Sequence, residues 1–324
     1  MRKIVLLIMV NMLVLWGCSK DTSPLDSRAN DELQIQEEIA AIETSAEEDF
    51  FYSDLDEESE DNFFKPVEFD LAKPIIPLRF GRIRMHPVEK NIHIVFNTDT
   101  TATVYYDKII RGKFISMVAD TSEADTVKLY RSSRPMNHEF QRVAHFAKRN
   151  DKWRMVSFSM AEGNSLGDVE SGPATVNATV RIVKLVIATP DTTFEITNPL
   201  AYFQKRKNPF TFYHGTDVKV TVHIENSTMN PVYFPLGTEQ TEFVRLHYAR
   251  HRYMRHHQIK RFKYLGKDDL GNNVYEGLWY IGQWRGVHHA VIDVIDNGTI
   301  YDDDVNTYPY NSTTWSTPYR ASFQ

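Results

Sequence analysis

Six of the twelve histidines fall into two clusters: His247, His251, His256 and His257, then His288 and His289. Imidazoles crowded like this are the material of a zinc site, which needs at least three converging ligands. The His247-x3-His251 spacing brings two rings to one face only on a helix, and this stretch reads as strand and loop. Adjacent strand residues point to opposite faces, so neither His256–His257 nor His288–His289 can chelate as a pair. No metal is expected. The acidic run DVIDNGTIYDDD at 293 to 304 offers oxygen ligands of the kind calcium takes. It lacks the ligand order and closing Glu of an EF-hand loop, and a solvated loop is the simpler expectation.

Two further constellations carry chemistry. His145, Asp99 and Tyr105 are the groups to inspect for acid–base work, which needs partners within hydrogen-bond reach. Nothing in the sequence holds a second titratable group beside His145, and a hydrogen-bonded structural histidine is the ordinary outcome. The densest feature is RLHYARHRYMRHHQIKRFKYLGK, 245 to 267. There Arg245, Arg250, Arg252, Arg255, Lys260, Arg261, Lys263 and Lys267 lie together with no acid among them. Such charge suits phosphates of an anionic surface polymer such as lipopolysaccharide, and equally protects a sheet edge from pairing. It has no helix-turn-helix or zinc-finger spacing, so nucleic acid is not expected. Trp279, Trp284, Tyr301, Tyr308, Tyr310 and Trp315 form either a sugar-stacking strip or core. No nucleophile elbow, phosphate loop or dinucleotide fingerprint occurs, and neither an enzyme nor a cofactor is expected.

The N-terminus supplies an address. Arg2 and Lys3 precede an apolar run, Ile4 to Trp16, broken only by Asn11. That run is shorter than the roughly 20 residues a spanning helix needs and has the form of an export signal. Its exit, Leu15-Trp16-Gly17-Cys18, resembles the lipobox of bacterial lipoproteins. The resemblance implies cleavage before Cys18, lipid on its thiol and acylation of the new N-terminus. The membrane is then a partner through Cys18, and Ser19, where some inner-membrane members carry Asp, favours the outer membrane. Cys18 is the single cysteine, so the exported body must hold together without disulfides.

Residues 19 to 74 carry 18 acids against 4 bases, while 75 to 324 carry 25 acids against 31 bases. Within the acidic part Ile35, Ile39, Ile42, Ala46 and Phe50 recur at helical spacing. A helix is expected over 31 to 52, capped by Asp31 and packing on the first folded unit. Residues 18 to 30 read as anchor and linker, and 53 to 75 as a solvated acidic spacer.

From 76 to 165 the period changes to two. Short strands are expected at 92–95, 101–106, 113–118 and 126–130, followed by a hairpin over 140 to 160 turning at Asn150-Asp151. The closing arm KWRMVSFSM is similar to the last strands of cystatin-like and nuclear-transport-factor-2-like domains. The resemblance implies a sheet curled around a helix, in some relatives with a pocket. Gly-rich residues 162 to 174 read as a linker. Beyond it, 175 to 324 is nearly all strand, with a slip in alternation near Val183, and resembles an immunoglobulin-like β-sandwich in layout. The chain is thus expected to be mainly β: an α+β unit of helix and antiparallel sheet, then a sandwich. The expected role is a non-enzymatic envelope lipoprotein presenting a surface to a protein or glycan. A small-ligand or enzymatic pocket in the first unit is the alternative.

Overall fold

The computed structural model describes residues 24–45, 50, 77–120, 128–167, 176–235, 237–250, 258–282 and 286–323. Residues 1–17, Cys18 and the spacer at 53–75 lie outside them. The protein is mainly β. Among the described residues no helix is long and apolar enough to cross a membrane.

Helix α1 spans Pro24–Thr44, starting before Asp31 and ending before residue 52. Proline suits the first helical turn, whose N–H groups have no intrahelical partner. Asp31 therefore lies inside the helix and pairs with Lys148 at 2.8 Å instead of capping. At the other end the Thr44 hydroxyl turns back to donate to Ala40 O at 2.8 Å. Ile35, Ile39 and Ile42 are buried, and Phe50, beyond the helix, stacks on Phe158 at 4.8 Å.

The short strands expected in the first unit merge into three long ones: β1 (Pro77–Thr98), β2 (Thr101–Asp120) and β3 (Lys128–Arg149). Asn150 and Asp151, both at positive φ, turn the chain into β4 (Lys152–Ser159), because both central residues of this tight hairpin take left-handed backbone. The even-numbered residues at 102–116 of β2 and 132–148 of β3 face one way. At one end of these strands that face meets α1 through Val104, Tyr106, Ala144 and Phe146. At the other end Ile110, Phe114, Met136 and Phe140 meet Val291, Ile295 and Ile300.

The Gly-rich stretch read as a linker begins with a strand, β5 (Ala161–Ser165). It pairs on one side with β3 and on the other with β16 (Ser312–Ser322). β16 pairs with β15 (Gly286–Asp296), which pairs with β11 (Glu242–Arg250), and β12 (Gln258–Arg261) closes the row. One sheet therefore runs β1-β2-β3-β5-β16-β15-β11-β12 and takes strands from both sides of residue 174.

A second sheet, β13 (Lys263–Lys267), β14 (Asn273–Tyr280), β10 (Asp217–Asn226), β6 (Val180–Ala188) and β7 (Thr193–Ile196), packs on its far part. His223 pairs with Lys184 and Ile224 with Ile182, which leaves Val183 as the bulged residue responsible for the slip in alternation. β15 is buried on both faces, Ile292 and Val294 in the sandwich core and Val291 and Ile295 against β2 and β3. α2 (Asn297–Tyr301) follows it.

Ile39 is fully covered by the first sheet, so Ile39→Ala is expected to destabilise the fold by about 2–5 kcal/mol. Leu33, half exposed on the same helix, should change it by less than about 0.5 kcal/mol. Urea denaturation of both variants checks the difference.

Candidate functional site

The acidic run is a solvated loop only in its last part, 302–304, where Asp303 and Asp304 are exposed. Its first residue, Asp293, is fully buried at the centre of an ion network between β1, β11 and β15. Arg82 donates to both carboxylate oxygens, Nη1 to Oδ2 and Nη2 to Oδ1, each at 2.8 Å. Arg245 Nε donates to Oδ2 at 3.0 Å, and His247 Nε2 lies 3.5 Å from the same oxygen. Arg82 Nε also donates to the Tyr310 hydroxyl at 2.8 Å, and that hydroxyl meets His138 Nδ1 at 3.0 Å.

Burial by itself would raise the Asp293 pKa. The Arg82 and Arg245 charges override it and hold the carboxyl well below its usual range. Gly163 makes room for His138, because a Cβ there would sit 2.7 Å from the imidazole Nε2. Asp296 and Asp304 are engaged as well. Asp296 accepts from Gly298 N at 2.8 Å at the start of α2, and Asp304 from the Thr307 hydroxyl at 2.6 Å.

The histidine clusters separate. His288 faces Tyr319 in the sandwich core, and His289 points to the opposite face of β15. His251, His256 and His257 lie outside the described residues. Among the described residues no group of three His, Cys, Asp or Glu is placed to hold a metal. Of the C-terminal aromatics, Trp279, Trp315 and Tyr310 are buried in core, so they form no exposed strip; Trp284 lies outside the described residues. His145 meets Ser157 Oγ at 3.1 Å, and burial lowers its pKa. Asp99 lies in the β1–β2 turn and Tyr105 is half exposed beside His93, so the three are not gathered into a catalytic group.

The basic stretch crosses from one sheet to the other. β12 ends the large sheet and β13 ends the small one. Between them Phe262 plunges into the core, in space that only a glycine at 277 leaves, since a Cβ there would lie 2.4 Å from its ring. Lys260, Arg261, Lys263 and Lys267 are exposed along these two edges. Arg245 leaves that face and spends its charge on Asp293. Arg250 belongs to β11, and Arg252 and Arg255 lie outside the described residues.

A feature that the sequence did not signal is an open groove of about 630 Å³. It lies between the turn at 189–192, β8 (Phe203–Lys205) and β9 (Phe210–Tyr213). Phe210 is its centre: Tyr202 stacks on it at 5.6 Å, Phe212 at 5.9 Å, and Phe194 meets it edge-on at 4.9 Å. Gln204, buried, accepts the Phe210 N–H at 2.7 Å and donates to Thr317 at 2.6 Å, which fixes β8 against β9. Which sheet end stays uncovered depends on strand order, which local pattern does not carry. Compared with protein-family models, curated proteins and solved structures, the chain matches none.

Two expectations follow. Burial first, then the Arg82 charge, hold folded His138 at a pKa of about 3, against ~6.5 for an unfolded histidine. Between these values the unfolded chain binds a proton that the folded one refuses. His138 thus costs no stability above ~6.5 and progressively more as pH falls toward about 3. His138→Gln should flatten the stability–pH curve there by up to about 1.4 kcal/mol per pH unit, read by denaturant titrations at several pH values. At the sheet edges, replacing Lys260, Arg261 and Lys263 with Thr should increase self-association in sedimentation runs. Titrating the same variant with lipopolysaccharide at two salt levels checks the anionic reading, since screening shortens these charges' reach to about 8 Å at physiological ionic strength.

Proposed function

We propose that this protein is a non-enzymatic binding module held on the bacterial envelope, at the outer membrane, by lipid on Cys18. The observation that carries the address is the Leu15-Trp16-Gly17-Cys18 exit after an apolar run too short to span a bilayer. Binding is supported by the open aromatic groove at 189–216. Catalysis draws less support, because the buried titratable groups Asp293, Arg82 and Arg245 are engaged with one another. The partner is an envelope protein or a glycan.

Mass spectrometry of membrane-extracted protein should find Cys18 as the first residue, carrying lipid. Cys18→Ser should move the protein from the outer-membrane fraction to the soluble one. An unmodified Cys18 peptide, or a mature N-terminus elsewhere, overturns the anchoring.

A further inference from the structure

The groove combines an apolar floor with an uncommitted polar rim. Phe210 and Phe212 are buried beneath it, while Phe203 and Tyr213 stand at its margins, 38% and 46% exposed. Phe203 is held in place by stacking on His145, with centroids 4.3 Å apart and planes within 13°. Around the rings lie Asp191, Lys205 and Asn208, whose side chains engage no partner among the described residues. One acid and one base leave the lining near neutral, so it creates no field to concentrate a phosphate or sulfate polymer.

The walls are set before any ligand arrives. The rim turn is closed by three hydrogen bonds between Thr189 and Thr192, at 2.8, 3.1 and 3.0 Å. Gln204 ties β8 to β9 and β16 as described. A pre-formed site spends little on ordering, and its volume lies inside the roughly 300–1,000 Å³ common for small-ligand pockets.

The geometry points to a neutral oligosaccharide as the ligand of this groove, its sugar rings stacking on Phe203 and Tyr213 and its hydroxyls bonding to Asp191 and Asn208. This rests on the binding-module reading above. The electron-rich faces of aromatic rings attract the polarised C–H face of a sugar. Carboxylate and amide groups supply the acceptors and donors that hydroxyls need. An extended peptide is the rival occupant. Edge strand β7 lends the groove only Phe194, but β9 lines it along its length and, among the described residues, is paired on one side alone, with β16. The near-neutral polar rim and the exposed rings favour the sugar, and a peptide probe separates the two.

The test uses the full-length protein in detergent, with maltohexaose, cellohexaose and chitohexaose as neutral probes. Hexagalacturonate serves as the anionic probe and an octapeptide of alternating Thr and Val as the peptide probe. Calorimetry and ligand-observed magnetisation transfer read binding at ~10 mM, ten times the ~1 mM dissociation constant of a weak site. At least one neutral probe should bind. Phe203→Ala and Tyr213→Ala should each weaken it about tenfold or more. Tyr213→Phe, which keeps the ring, should bind nearly as well. Leu278→Ala, on an exposed face of β14, should leave binding unchanged.

Three results overturn the inference: no neutral probe binds, the Phe203/Tyr213 double variant binds as the parent does, or only the anion or the peptide binds. In the last case the binding-module reading stands while the carbohydrate falls. The lipid on Cys18 is decided separately, by mass spectrometry.

Discussion

Asp293 is where the large sheet closes on itself. Counted along the hydrogen-bonded row, β15 lies five strands from β1, yet Arg82 of β1 grips the Asp293 carboxylate through two bonds. The curl is therefore completed by side chains and not by strand pairing. Burying such charges is expensive, and only complete hydrogen bonding and close opposite charge offset the loss of water. Here the charge of Asp293 is met by a forked guanidinium and a second arginine, and Arg82 is met in turn by the Tyr310 hydroxyl. Its value is specificity: a sheet slipped by one residue would turn Arg82 and Asp293 to the wrong faces.

The same closure explains how helix and sandwich share one framework. The concave face of β2 and β3 is covered by α1 at one end and by β15 with α2 at the other. Lys108, buried on that face, lies between the two halves. Arg134 completes the second half, donating to the backbone carbonyls of Tyr308, at 2.6 Å, and of Asp302. This arginine holds the chain between α2 and β16, from which the Tyr310 side chain enters the ion network.

Alpha-helix α1 is fastened by charge as well as by its isoleucines. Glu38 accepts from Arg154 of β4 and, at 2.6 Å, from Arg206. Arg206 immediately follows β8, whose three residues line the groove. The helix thus lies within one ion pair of the strand that lines the groove. An exposed pair of this kind adds little stability, but Glu38 is buried and joins two separate elements to the helix.

Much of this was legible in the order of residues. The helical spacing of Ile35, Ile39 and Ile42, the turn at Asn150-Asp151 and the bulge at Val183 all rest on local pattern. Turn chemistry and periodicity act over a few residues, so the sequence alone determines them. What it could not determine was which strands become neighbours. β5 and β16 are paired across about 150 residues of chain, and Arg82 reaches Asp293 across 211. Only that pairing turns Arg245 inward from a basic surface, sends Trp279 and Trp315 into the core, and leaves the groove around Phe210 open. Those outcomes depend on the closing of long loops and on burial at a distance, and a local pattern carries no record of either.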